Sequence, residues 1–145
     1  LNLGKIIITY FYLKLIFMDT KELRIGNFVL DKEDMIIEVE TIFPFNINVA
    51  FDGDDGISSA SIKPIPLTEE RILAANFEKC EGKHGVYYKS PFDKSVRLFY
   101  YDDGYCIGYI SDSLGNFTIV GKVIYLHKLQ NFHFEFVGKE LEINL

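Results

Sequence analysis

Residues 124–145 read IYLHKLQNFHFEFVGKELEINL, and with residues 64–79, PIPLTEERILAANFEK, they decide the fold. In the later stretch Tyr125, Leu129, Phe132 and Phe136 recur at spacings of 4, 3 and 4. At about 100° per residue they form one apolar stripe that should face a sheet. Gly138 supplies a left-handed stop, so the pattern predicts a helix over 126–137. Beyond it Leu141, Ile143 and Leu145 alternate with Glu140, Glu142 and Asn144, the pattern of a half-buried C-terminal strand. In the earlier stretch Pro64 and Pro66 hold the entry extended. Thr68 is a natural N-cap, and Glu69 and Glu70 set negative charge on the positive end of the helix dipole. Ile72, Leu73 and Phe77 supply an apolar side, and Asn76 tolerates a left-handed cap, which predicts a helix over 68–76.

Working outward, the sequence before the first helix reads as short strands. These are Phe28 to Leu30, Met35 to Phe43, Asn46 to Phe51 and Ser58 to Ile62, with the Asp52 to Gly56 loop closing a hairpin. Together they suggest a small curled sheet or partial barrel. Between the helices, Val86 to Lys89, Val96 to Tyr101, Tyr105 to Ile110 and Phe117 to Val120 read as hairpin strands. Asp103-Gly104 and Gly115-Asn116 are the turn signals. The fold class is therefore α+β, mainly antiparallel, with two helices and a C-terminal strand. Residues 18–145 are expected to form a single domain, with N-terminal strands over 18–63 and helix, hairpins, helix and strand over 64–145.

The first seventeen residues, LNLGKIIITYFYLKLIF, stand apart. Apart from Gly4 and Thr9, every residue there has a codon made only of A and T. Met18 then opens an ordinary charged sequence, DTKELRIGN, so an upstream AT-rich stretch ahead of a start at Met18 is the expectation, with a targeting segment as the competing one. Lys5 and Lys14 break the run before the ~20 apolar residues of a membrane span. No small-residue cleavage site follows it.

With 15 basic against 21 acidic residues the chain carries a net charge of −6, which opposes long-range attraction to phosphate backbones. Nucleic acid is accordingly a disfavoured partner. Cys80 and Cys106 are too few and too far apart for a zinc or disulfide framework, and suit a reducing cytoplasm.

On the predicted second helix, His127, Gln130, Asn131 and Phe134 fall within about 100° of arc, outside the apolar stripe. They form either a recognition surface or a set of structural hydrogen bonds with an aromatic packed nearby. His133 borders the stripe and lies six residues from His127, not the four of a helical metal pair, so it reads as a structural histidine. The Asp52 to Gly56 loop lacks the ligand spacing of a calcium loop and reads as a turn. No metal site, cofactor site or nucleophile motif is expected. Tyr87, Tyr88, Phe92, Phe99, Tyr100, Tyr101, Tyr105 and Tyr109 crowd the middle, either as core packing or as an exposed face for a sugar, base or protein.

Three stretches carry a resemblance: ELRIGNFV from Glu22, PIPLTEERILAANFEK from Pro64 and YLHKLQNFHFEFVGKEL from Tyr125. In order and spacing they resemble a family of small proteins, without an assigned activity, found in Bacteroidetes genomes and their phages. The family has Trp at the position of Arg71, Gly at Asn76, Gln at Lys128 and Leu-Tyr at Phe132-His133. The resemblance implies a phage or prophage accessory protein but transfers no activity, cofactor or catalytic residue. The expected function is a non-enzymatic, cytoplasmic protein-interaction module. The alternatives are a small-ligand binder or enzyme using the aromatic middle with a histidine, and a single-strand nucleic-acid binder on the aromatic sheet.

Overall fold

In a computed structural model, residues 20–42, 48–50, 57–58, 62–83, 85–101 and 106–145 are described. The strand readings at 43–47, 51–56 and 59–61, the Asp103-Gly104 turn and the segment 1–17 lie outside them. The chain divides into two compact units, Leu1–Ile65 and Pro66–Leu145.

In the first unit a 3-10 turn, Thr20–Glu22, precedes strands β1 (Phe28–Leu30) and β2 (Ile36–Glu38), paired antiparallel with Val29 opposite Ile37. Their connection is an Asp turn: the Asp31 carboxylate accepts from the amides of Glu33 and Met35 at 2.8 and 2.9 Å. Strands β3 (Thr41–Ile42), β4 (Asn48–Ala50) and β5 (Ile57–Ser58) form a second antiparallel sheet. The single strand expected over 35–43 is thus broken after Glu38. The cause is local: Val39 faces two residues of the neighbouring strand, its amide donating to the Asn27 carbonyl at 2.8 Å and its carbonyl accepting from the Gly26 amide at 2.7 Å, a bulge with Gly26 at φ 88° that interrupts the regular ladder. Leu23, Val29, Val39 and Ile62 form the core, with Ile37 and Ile42 against it.

In the second unit helix α1 is Glu69–Ala74, with Thr68 Oγ1 accepting from the Arg71 amide at 3.3 Å. Asn76 takes the left-handed conformation that ends it (φ 60°). Then β6 (Glu78–Gly82), β7 (Gly85–Lys89), β8 (Val96–Tyr100), β9 (Cys106–Ser111) and β10 (Phe117–Lys122) form a meander, ordered β10-β9-β8-β7-β6. Helix α2, Leu126–Val137, ends at Gly138, whose φ of 72° and amide bond to the Phe134 carbonyl make the expected left-handed stop. The molecule is therefore α+β with mainly antiparallel sheets, and among the described residues no sheet closes into a barrel.

The C-terminal segment corrects the sequence reading. Residues 139–145 join no ladder among the described residues. Instead the Asn144 amide donates to the Ala74 carbonyl at 3.1 Å, and the Asn76 side chain donates to the Glu142 carbonyl. The segment thus satisfies a carbonyl that the end of α1 leaves open, a demand no strand pattern reveals. Leu141 is buried while Leu145 is exposed, so the apolar alternation is used at one end only.

Candidate binding surface

The pleat sorts the residues of the five-stranded sheet onto two faces. Tyr88 opposes Leu98, Leu98 opposes Gly108, and Val96 opposes Ile110, so these residues share one side. Tyr88, Val96 and Leu98 are buried there. Helix α2 lies close on this side, since a Cβ added at Gly108 would stand 2.7 Å from the Phe132 ring. Only glycine permits that approach. Helix α1 is tied to the same side: Glu69 accepts from the Tyr88 hydroxyl at 2.7 Å and pairs with Lys79. Both bonds favour the charged carboxylate, Lys79 most, and hold Glu69 below its ordinary pKa.

The other face carries Tyr87, Phe99, Tyr109 and Phe117 as a row of ring contacts with centroids 5.6, 4.8 and 6.4 Å apart in turn. Arg97 lies across it, 5.3 Å from the Tyr87 ring and 5.0 Å from the Phe117 ring, and Lys89 is 5.7 Å from Tyr87. Such distances allow cation–π attraction. Lys122 opposes Ile107, which opposes Phe99, so it belongs to this face too. Both helices of the unit lie on the opposite side. The row is half-buried at Tyr87, Phe99 and Tyr109 and open at Phe117 and Ile119. The aromatic crowd is thus neither all core nor all surface: Tyr88 goes inward, whereas Tyr87, Phe99 and Tyr109 go outward. Phe92 and Tyr101 are exposed outside the strands, and Tyr105 lies outside the described residues.

The four helix residues singled out by sequence are divided by the structure. His127 and Gln130, expected outside, are each only 1% exposed; Asn131 is half-buried, and Phe134 is 40% exposed. The His127 ring stacks on Tyr125 at 5.7 Å and 11°. On α2 the buried residues are Leu126, His127, Leu129, Gln130, Phe132 and His133. The expected stripe fails at Phe136, exposed and tilted against Phe132 at 5.3 Å. Axial position overrides angle: the first two turns are enclosed over a wide arc, while Phe134, Glu135 and Phe136 at the last turn are exposed. A helical period alone cannot show where along its axis a helix is covered.

Both ring nitrogens of His133 have partners. Its Nδ1 lies 2.9 Å from the Lys139 carbonyl and its Nε2 2.9 Å from Ser90 Oγ. A carbonyl only accepts, so Nδ1 carries the proton, and in the neutral ring Nε2 accepts from the Ser90 hydroxyl. Ser90 Oγ in turn accepts from the amides of Phe92 and Asp93, both at 3.3 Å. Phe77 and Phe92 flank the imidazole at 6.1 and 5.6 Å. Burial pushes the His133 pKa down, opposed by the Lys139 carbonyl bond and by the charges of Glu140 and Asp93. Although a serine hydrogen-bonded to a histidine is the start of a nucleophile–base pair, both side chains here are buried and Ser90 is committed to two amides. The pair joins α2 to the β7–β8 turn and to the C-terminal segment.

Among the described residues no group of three metal-ligating side chains converges, and no helix is long and apolar enough to cross a membrane. The sequence alone does not display the register, which puts Arg97 and Phe117 beside Tyr87 and Tyr109 from four different strands. Compared with protein-family models, curated proteins and solved structures, the chain has no match in any of the three.

Proposed function

We propose that this chain is a non-enzymatic binding module that recognises a partner protein through the Tyr87–Phe99–Tyr109–Phe117 face and the adjoining β10. The observation that carries this reading is a row of aromatic side chains crossed by Arg97 on the side of the sheet away from both helices. Tyr, Phe and Arg are the residues on which protein interfaces concentrate their binding energy. The resemblance to phage-associated proteins favours a host or virion protein as partner, in the cytoplasm. Asn131 and Phe134 remain second candidates for contact, whereas His127 and Gln130, being buried, are assigned to holding α2 in place.

The test is a cross-linked pull-down with three baits: the native chain, Arg97→Ser/Phe117→Ser, and Met35→Ser. Met35 is exposed in the other unit and serves as control. A partner captured by the native chain and by Met35→Ser should be lost with the double variant. Retention by the double variant overturns the reading.

A second reading rests on the same cations. Lys89, Arg97 and Lys122 beside stackable rings also suit single-stranded nucleic acid. The net charge of −6 opposes it. Oligothymidine binding that weakens steeply between low and physiological salt would favour this second reading over a protein partner.

A further inference from the structure

The five-stranded sheet ends in two unlike edges. Strand β6, EKCEG, carries Glu78, Lys79 and Glu81, and charges of this kind guard an edge against pairing. Strand β10, FTIVGK, carries no charge before Lys122, and Phe117, Ile119 and Val120 are 46%, 64% and 40% exposed. Among the described residues β10 pairs with β9 alone. Among the described residues no strand covers the outer side of 117–121, whose side chains are mainly β-branched and aromatic and whose register on β9 shifts at a bulge between Ile119 and Gly121.

The charges beside that edge select its occupant. Phe117 opposes Ser111 and Lys122 opposes Ile107, four residues along β9, so the two share the aromatic face. The Arg97 guanidinium lies over Phe117 at 5.0 Å, so each end of β10 has a cation on this face. Neither β9 nor β10 contains a carboxylate. A second copy pairing antiparallel about the middle of β10 would bring its Lys122 beside Phe117, and therefore beside Arg97. Like charges brought together disfavour that pairing. A strand bearing carboxylates meets both cations instead.

We propose that the β10 edge is a strand-addition site for an extended acidic segment of a partner protein, with two carboxylates about four residues apart and apolar residues between them. One carboxylate faces Arg97, the other faces Lys122, and the apolar residues cover Ile119. Backbone bonds along β10 hold the strand, and the charges fix its register. This rests on the binding-module reading above.

The experiment pans a display library of random peptides of about twelve residues against the full chain, then maps the strongest binder by amide hydrogen exchange. The expected result is an enriched set of acidic, β-forming peptides that protect the β10 amides. Lys122→Glu should weaken the strongest binder at least about tenfold. The same variant should tighten binding of that peptide with its glutamates changed to lysine. Neutral or basic winners, or protection of the Tyr87–Phe99 face without β10, overturn this inference while leaving the binding-module reading standing. No enrichment at all overturns both. A dimer in sedimentation that Ile119→Lys disperses assigns the edge to a second copy and likewise overturns the inference.

Discussion

The two faces of the five-stranded sheet are made from alternate residues of the same strands, yet they meet different demands. On one, Tyr88, Val96 and Leu98 are buried on the side that both helices occupy, and Gly108 gives way so that Phe132 can approach. On the other, Tyr87, Phe99, Tyr109 and Phe117 form a row of ring contacts, with Arg97 over Tyr87 and Phe117. Adjacent tyrosines make the contrast plain: Tyr88 is buried with its hydroxyl on Glu69, while Tyr87 lies beneath two cations. Neighbours of identical chemistry thus sit in separate settings, one in the core and one on the face proposed for recognition. The edges repeat the division, charged at β6 and apolar at β10.

The inner face should tolerate substitution least. Leu98→Ala should cost about 2–5 kcal/mol in urea unfolding, because Leu98 is wholly buried and its removal leaves a cavity. Gly108→Val forces atoms into the Phe132 ring and should cost about 1–3 kcal/mol or more. His133→Leu leaves the Ser90 hydroxyl and the Lys139 carbonyl without the ring and should cost a similar ~1–3 kcal/mol. On the outer face, Ile119→Thr should stay within about 0.5 kcal/mol of the native chain. An outer-face loss as large as that of Leu98→Ala would erase the distinction.

His133 gives the inner face a pH dependence as well. Burial lowers its folded pKa below the ordinary 6.5, so the folded state binds this proton less well than the unfolded chain does. Its contribution is complete above about pH 6.5 and is lost as pH falls from there through the lowered folded value. Urea midpoints should therefore decline below pH 6.5, before the carboxylates titrate, and His133→Gln should flatten that decline. An unchanged slope in His133→Gln would remove the ring from the account.

Local signals were legible where a single residue carries the chemistry. Thr68 caps α1, Asn76 ends it, and Gly138 stops α2, each readable because capping needs only neighbours. What the sequence hid depends on distant partners. EKCEG has little intrinsic strand preference and becomes β6 because β7 pairs with it through five opposed positions. The alternation at Leu141 to Leu145 looks like a strand, but the backbone there is drawn to Ala74 and to the Asn76 side chain instead. His127 and Gln130 lie off the apolar stripe by angle and are buried all the same. The outer aromatic row needed the register, which aligns four strands before Arg97 can be seen to bridge Tyr87 and Phe117.

The division of labour between the faces is tested most directly by Arg97→Ser/Phe117→Ser, measured in parallel for urea stability and for affinity toward the strongest panned peptide. The account predicts a stability change below about 1 kcal/mol together with at least a tenfold loss of binding. Unchanged affinity, or unfolding as deep as that of Leu98→Ala, would contradict it.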